Sequence, residues 1–328
     1  MEIKDNRTQF TKSSFSNYKK KHIIEELITN IYYNKKSDAL FYTAEMICSL
    51  YILDLWYIYI AFYCKYIHVN NIKIPIYLEQ KFNEFRHISN KINNDFELRN
   101  NQTIRIIFFT LTLLYCEIDK GNEMTHIHIP FKIELIHSNL KADNIDYIKP
   151  FFKESDPKDT YFMFNELIYH IIVTKHKIDI FYWIDMIIDF DLFYIRKKNQ
   201  IFIEDRHYIE ENEKKSKNII WLLWEILFHF SKNVEPLLQK TINSLFELFK
   251  IKYNYLSNKK FKSIFYLVIH LLLDNSININ IKLIENTSIF KSLDTDINKV
   301  FNVLKKKEVW IEEVKTKKEE LYNSIYKI

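Results

Sequence analysis

Apolar positions recur at helical spacing over most of the chain. Ile24, Leu27, Ile28 and Ile31 fall at i, i+3, i+4 and i+7, which predicts a helix from about Ser16 to Asn34. Lys35 and Lys36 make a turn, and Ser37 or Asp38 offers a cap for the next helix, Ala39–Ser49. Further helices are expected from Ile52 to about Tyr66, from Pro75 to about Ile92, and from Asn101 to Ile118. Residues 119–157 break the pattern, holding Gly121, Pro130, Pro150 and Pro157. A short strand pair near 124–136 fits the alternation in His126-Ile127-His128-Ile129. Ser155-Asp156-Pro157 reads as a restart, with a cap residue before a proline at the first helical position.

Helices then follow at Lys158–Thr174, Ile178–Tyr194, Lys217–Ser231, Val234–Tyr253, Lys259–Leu273, Ile297–Lys306 and Trp310–Tyr326. Two segments, Ile219–Phe230 and Ile264–Leu273, are apolar nearly all round and belong at the centre of a bundle. The last helix is mostly charged and belongs on the surface or against a partner. The expected architecture is all-α: an N-terminal helical module (1–118), an irregular connecting segment (119–157) and a C-terminal bundle (158–328).

Composition sharpens this mainly by exclusion. Of 328 residues, one is glycine and five are proline. Walker loops, dinucleotide fingerprints and kinase phosphate loops all need several glycines, so none is present. Ile, Lys, Asn, Tyr and Phe, all with A/T-rich codons, dominate, which marks an A/T-rich genome and lowers the weight of lysine clusters as evidence. The formal charge of +5 is modest for this length. Cys48, Cys64 and Cys116 lie in apolar runs without a C-x-x-C pair, as buried thiols of a reducing compartment do. The polar start through Lys21 is no secretory signal, and the longest apolar run, Ser49–Cys64, is short for a span and carries Asp54. A cytoplasmic or nuclear protein without a membrane segment is expected.

Several groupings offer candidate chemistry. Glu84–His87 and Glu134–His137 are E-x-x-H steps, with Glu45 and Glu117 as the carboxylates that would complete a di-iron bundle site; Gly121 and Pro130 leave no room for the helix such a site needs. Asp185 and Asp189, with Asp191 nearby, share a helical face that could hold magnesium, but no second acidic helix is evident, and a solvated polar edge is the simpler reading. His126 and His128 lack further zinc ligands. His229 and His270 interrupt apolar helices and read as satisfied core histidines. No catalytic residue, metal site or cofactor is assigned. Basic runs at Lys19-Lys20-Lys21, Arg196-Lys197-Lys198, Lys259-Lys260-Lys262 and Lys305-Lys306-Lys307 would form a phosphate-binding stripe if they shared a face.

One stretch resembles a known family. Residues 35–78 contain Asp38-Ala39-Leu40-x-Tyr42-x-Ala44-Glu45-Met46, then Leu55-Trp56 and Lys65-Tyr66-Ile67-His68. This is similar to the helical region C-terminal to the ATPase core of the MgsA/RarA family of replication-associated AAA+ proteins, where it helps subunits assemble. It also resembles proteins of nucleocytoplasmic large DNA viruses that carry the segment without an ATPase. The family's glycine is Leu50 here, its acidic Glu-Asp-x-Gly end is Tyr66-Ile67-His68-Val69, and the ATPase module is absent. The resemblance therefore implies helical assembly in a replication or repair setting, without ATP-driven work. On this reading the chain is a non-enzymatic assembly or adaptor protein, with Asp38, Tyr42, Glu45 and Trp56 facing a protein partner or a second copy. The alternatives are a nucleic-acid-binding protein using Lys19, Lys20, Lys21, Lys259, Lys260 and Lys262, and a metal-dependent helical enzyme.

Overall fold

The computed structural model describes residues 1–8, 10–124, 131–132, 138–210, 213–251, 253 and 262–309. Among them the fold is all-α, with thirteen α-helices, no β-strand and one isolated bridge, Ser13–Lys19. The possible hairpin at 124–136 and the helix at 310–326 fall largely outside the described residues, as do His126, His128, Glu134, His137, Lys259 and Lys260.

The helices are α1 (Lys20–Tyr32), α2 (Lys36–Cys48), α3 (Ile52–Phe62), α4 (Ile74–Ser89), α5 (Asp95–Asn100), α6 (Gln102–Glu117), α7 (Tyr161–Tyr169), α8 (Lys177–Arg196), α9 (Glu213–Ser216), α10 (Ile220–Ser231), α11 (Pro236–Ile251), α12 (Lys262–Leu273) and α13 (Leu293–Lys305). Glycine scarcity shows at their ends. After α1, α2 and α8 the chain turns through Asn34, Leu50 and Lys198 with φ of 58°, 59° and 57°, in the left-handed region that glycine fills most easily. In each case the next amide reaches back five residues to close the helix, as Tyr51 N does to Met46 O at 2.9 Å. Leu50 thus takes a glycine-like backbone at a steric cost of about 1–2 kcal/mol.

The helices group into two compact units that interleave along the sequence. The first takes Met1–Leu55, Glu84–Glu117 and the chain from Asn286; the second takes Trp56–Asn83 and Ile118–Glu285. The chain passes from the first unit to the second at Ile118, and the expected division into 1–118 and 158–328 differs from this one. Residues 56–83 pack with the later helices: Thr241 Oγ1 donates to Ile72 O at 2.8 Å, and Ser244 Oγ to Glu79 Oε2 at 2.6 Å. The assembly-like segment 35–78 is accordingly split at Leu55.

In the first unit α2 and α6 are central, packed on each other and on α1 and α13. In the second, α12 is buried from Ser263 to Ile269 against α8, α10 and α11, and α10 presents Trp221 and Trp224 to Phe246 and Phe249 of α11. Both segments that are apolar all round occupy the interior of this unit, because no face of either has a polar stripe to give to water.

The restart at Ser155-Asp156-Pro157 takes another form. Residues 158–160 make a 3-10 turn and α7 begins at Tyr161 without a side-chain cap. The Asp156 carboxylate is engaged elsewhere: Arg206 donates to both its oxygens at 2.9 and 2.6 Å, and Lys153 N and Glu204 N also donate to it. A buried carboxylate gains more from a guanidinium than from one amide, so the ion pair displaces the cap.

Candidate functional site

Most of the residues singled out from the sequence take packing roles. Glu45 is 0% exposed and accepts from Ser14 Oγ at 2.5 Å, Ser16 N at 2.6 Å and Ser16 Oγ at 2.6 Å. Trp56 is also 0% exposed and lies edge-on to Phe82. Both are therefore interior residues and not the partner-facing ones expected, Glu45 held by Ser14 and Ser16 and Trp56 packed against Phe82. Asp38 is exposed in the first turn of α2, where its charge suits the helix dipole, and it does not occupy the N-cap, which is Lys35. Tyr42 is half-buried against His22.

Among the basic candidates, Lys19 and Lys21 are exposed, while Lys20 is half-buried, 2.7 Å from Asp54 and over the Tyr51 ring. Lys262 turns inward, 2.9 Å from Asp185 Oδ2 and 3.8 Å from Asp189 Oδ1. Asp185, 2% exposed, also accepts from Tyr266 OH at 2.5 Å; burial pushes its carboxyl above the ordinary value against the pull of Lys262 and Tyr266. The acidic face is therefore not a solvated edge. The Lys262 ammonium stands where a magnesium ion would have to sit. Glu84 and His87 are exposed, with the imidazole 2.9 Å from Lys91 Nζ, and the described residues contain no group of three or more metal-ligating side chains. His229 is exposed at the edge of Phe151, which corrects its core assignment.

The remaining histidine leads to the site. His270, near the end of α12, lines a cavity of about 490 Å³ in the second unit, with Asp274, Lys177, Ile178, Phe181, His68, Val69, Asn122, Glu123 and Met124. That volume is within the range of small-ligand sites. Two unusual turns build its walls. At Tyr63–Ile67 the helical chain widens into a π turn and ends at His68, whose φ of 37° and ψ of −121° belong to glycine. At His170–Thr174 a second π turn ends at Lys175, φ 52°, and α8 starts two residues later with Lys177 and Ile178. Single π turns and strained backbones concentrate at functional sites because surrounding packing must hold them.

The chain's one glycine completes the wall. Gly121 N donates to Tyr66 O at 2.7 Å, and a Cβ placed on Gly121 would meet His68 Cε1 and Asn70 Nδ2, each at 2.9 Å. Any Cβ here would push the imidazole or the Asn70 amide aside, so glycine lets this segment lie flush against the His68 ring. His68 Nε2 lies 2.9 Å from Asn122 O. A carbonyl only accepts, so in the neutral ring Nε2 carries the proton and Nδ1 is a bare acceptor.

His270 is pinned in the opposite sense. Its Nδ1 lies 2.7 Å from Asp274 Oδ2, while Lys177 Nζ lies 2.6 Å from Asp274 Oδ1. Burial raises the Asp274 carboxyl, but the hydrogen bonds from Lys177 and His270 prevail and hold it below the ordinary value, as an acceptor. His270 Nδ1 therefore donates, and its 3.3 Å approach to Lys177 Nζ is two donors converging on one carboxylate. Its Nε2 is left bare, and among the described residues it has no hydrogen-bond partner. The cavity thus holds two imidazoles with fixed protons and bare nitrogens, an internally neutralised Lys177–Asp274 pair, and an apolar wall of Val69, Met124, Ile178 and Phe181.

Of the polar residues here, reasoning from sequence singled out His270 as a core histidine, Gly121 as a break in the helical pattern and His68 within the resemblance of 35–78, and none of them in this role. The signal was the glycine: a chain that replaces glycine even at helix ends keeps one where a side chain would strike His68. Comparison of the chain with family models, curated proteins and solved structures finds no significant match. No described helix is long and apolar enough to cross a membrane.

Proposed function

We propose that this protein is a non-enzymatic helical adaptor that receives a protein partner at the cavity lined by His68, Lys177, His270 and Asp274. The observation that carries the reading is the pairing of proton-fixed imidazoles with an exposed apolar rim. Ile178 is 56% exposed while lining the cavity, and Ile172 and Val173, at 46% and 51%, lie just before it in the chain. Isolated apolar residues on a surface need no explanation, but an exposed isoleucine lining a preformed cleft, with two more exposed apolar residues shortly before it in the chain, fits a contact surface. A setting in DNA replication, recombination or repair is supported by the likeness of residues 35–78 alone. The nucleic-acid alternative loses Lys262, whose ammonium is committed to Asp185.

The test is methyl-resolved NMR of isoleucine- and methionine-labelled protein titrated with 4-phenylbutanol, a neutral apolar probe. Saturable shifts confined to Ile178 and Met124 are expected. Shifts spread over the surface, or none, would remove the cavity as a binding site. Light scattering across a concentration series separates capture of a different partner, which leaves the free chain monomeric, from self-assembly.

A further inference from the structure

The charge layout of the cavity singles out one kind of group. Among the described residues the only lysine or arginine lining it, Lys177, is 2.6 Å from Asp274. Among the described lining residues the uncommitted acceptors are the second ring nitrogens of His68 and His270 and the carboxylate of Glu123, which also pairs with Lys65 at 2.8 Å, while the Asn122 amide can both donate and accept. The lining carboxylates and lysine, Glu123, Asp274 and Lys177, sum to a formal charge of −1. A ligand carboxylate would meet two carboxylates and two lone pairs, and like-signed juxtaposition is costly where water is scarce. An ammonium has three N–H donors for those acceptors, and a methylene stem suits Val69, Met124, Ile178 and Phe181.

We infer that the cavity takes an ammonium on an apolar stem, and that its occupant is a lysine side chain from an apolar-flanked segment of the partner protein. This rests on the cavity being the docking site. It goes further in fixing the chemistry of what enters. His68 and His270 act as acceptors for the ammonium, while Asp274 acts through His270, as a positioning residue that keeps the imidazole proton on Nδ1.

The experiment uses three probes of one shape on the full chain at pH 7.5, followed by calorimetry and the Ile178 and Met124 methyl signals: 4-phenylbutylamine, 4-phenylbutanol and 4-phenylbutyrate. The amine is expected to bind at least tenfold more tightly than the alcohol, and the acid more weakly than either. If amine and alcohol bind alike, or the acid binds best, the ammonium inference is wrong while the cavity stands. If none binds, the docking site itself fails. A second arm compares a Leu-Ile-Lys-Ile-Leu peptide with its norleucine isostere. Preference for lysine by fivefold or more supports a partner segment, whereas equal binding beside a tight free amine would replace the partner lysine by a small amine. Asp274→Asn, which cannot hold the same tautomer, should lower amine affinity about fivefold and leave 4-phenylbutanol unchanged. Equal loss for both probes would mean the residue only supports the fold, and the unmodified chain with three probes decides the main point even if this variant does not fold.

Discussion

Replacing Lys262 by methionine removes the ammonium from beside Asp185 while keeping an apolar stem of similar length. In the native protein Asp185 is buried, holds Lys262 at 2.9 Å and accepts from Tyr266 OH. Without the cation, a buried carboxylate keeps one neutral hydrogen bond, and stranding one member of a buried pair costs about 3–5 kcal/mol. Protonation limits the loss. Asp185 already sits above its ordinary value because of burial, and removing Lys262 raises it further. Keeping it neutral at pH 7 against an unfolded value near 3.9 costs about 4 kcal/mol at roughly 1.4 kcal/mol per pH unit.

The sign of the pH dependence follows. A carboxyl raised in the folded state favours folding below its unfolded value, and that advantage is lost as pH rises through the folded value. In Lys262→Met the losing window extends upward, so the variant should lack about 3–4 kcal/mol at pH 7 and only about 2 kcal/mol at pH 5.5. Urea unfolding of both proteins at the two pH values measures this directly. A deficit under about 1 kcal/mol at pH 7, or one that does not shrink toward pH 5.5, would refute the account of this cluster. The double variant Lys262→Met with Asp185→Asn should recover part of the loss, since the charge on Asp185 is gone while buried Asp189 still lacks the cation that stood 3.8 Å away.

Three further outcomes are expected. Gly121→Ala places a Cβ 2.9 Å from the His68 ring and the Asn70 amide, both side-chain ends that can move aside, so it should displace the His68 ring and shift its imidazole resonances at a stability cost of about 1 kcal/mol or less; unchanged spectra would remove the glycine's role. Trp56→Ala should cost about 3–5 kcal/mol in denaturant unfolding with the solution mass unchanged, whereas a change of mass at unaltered stability would restore Trp56 as an assembly anchor. Arg206→Met strands the buried Asp156 carboxylate and should lower stability by about 3–5 kcal/mol, and a loss under 1 kcal/mol in thermal or denaturant unfolding would show that Asp156 does not depend on the guanidinium.

How much was legible in the residues differs by element. The segments 219–230 and 264–273 could be placed in the interior from sequence because a helix with no polar face has only one stable location. The turn after α2 was legible in position but not in conformation: Leu50 takes a glycine's φ because the C-terminal closure of α2 demands it. Asp185 and Asp189 were misread as solvated because their cation lies on another helix, and the hydroxyl of Tyr266 that meets Asp185 is 81 positions away. Likewise Lys177 meets Asp274 across 97 positions, and nothing local in either neighbourhood announces the other.

The sequence by itself determined an all-helical chain, its innermost helices, its buried thiols and the absence of any glycine-built phosphate site, since periodicity and residue type act over a few residues at a time. Only the tertiary structure decided the interleaving of the two units, the inward turn of Lys262 and the strained His68 held against Gly121. Those features depend on pairing energies between distant positions, which exceed local preference once both partners are buried.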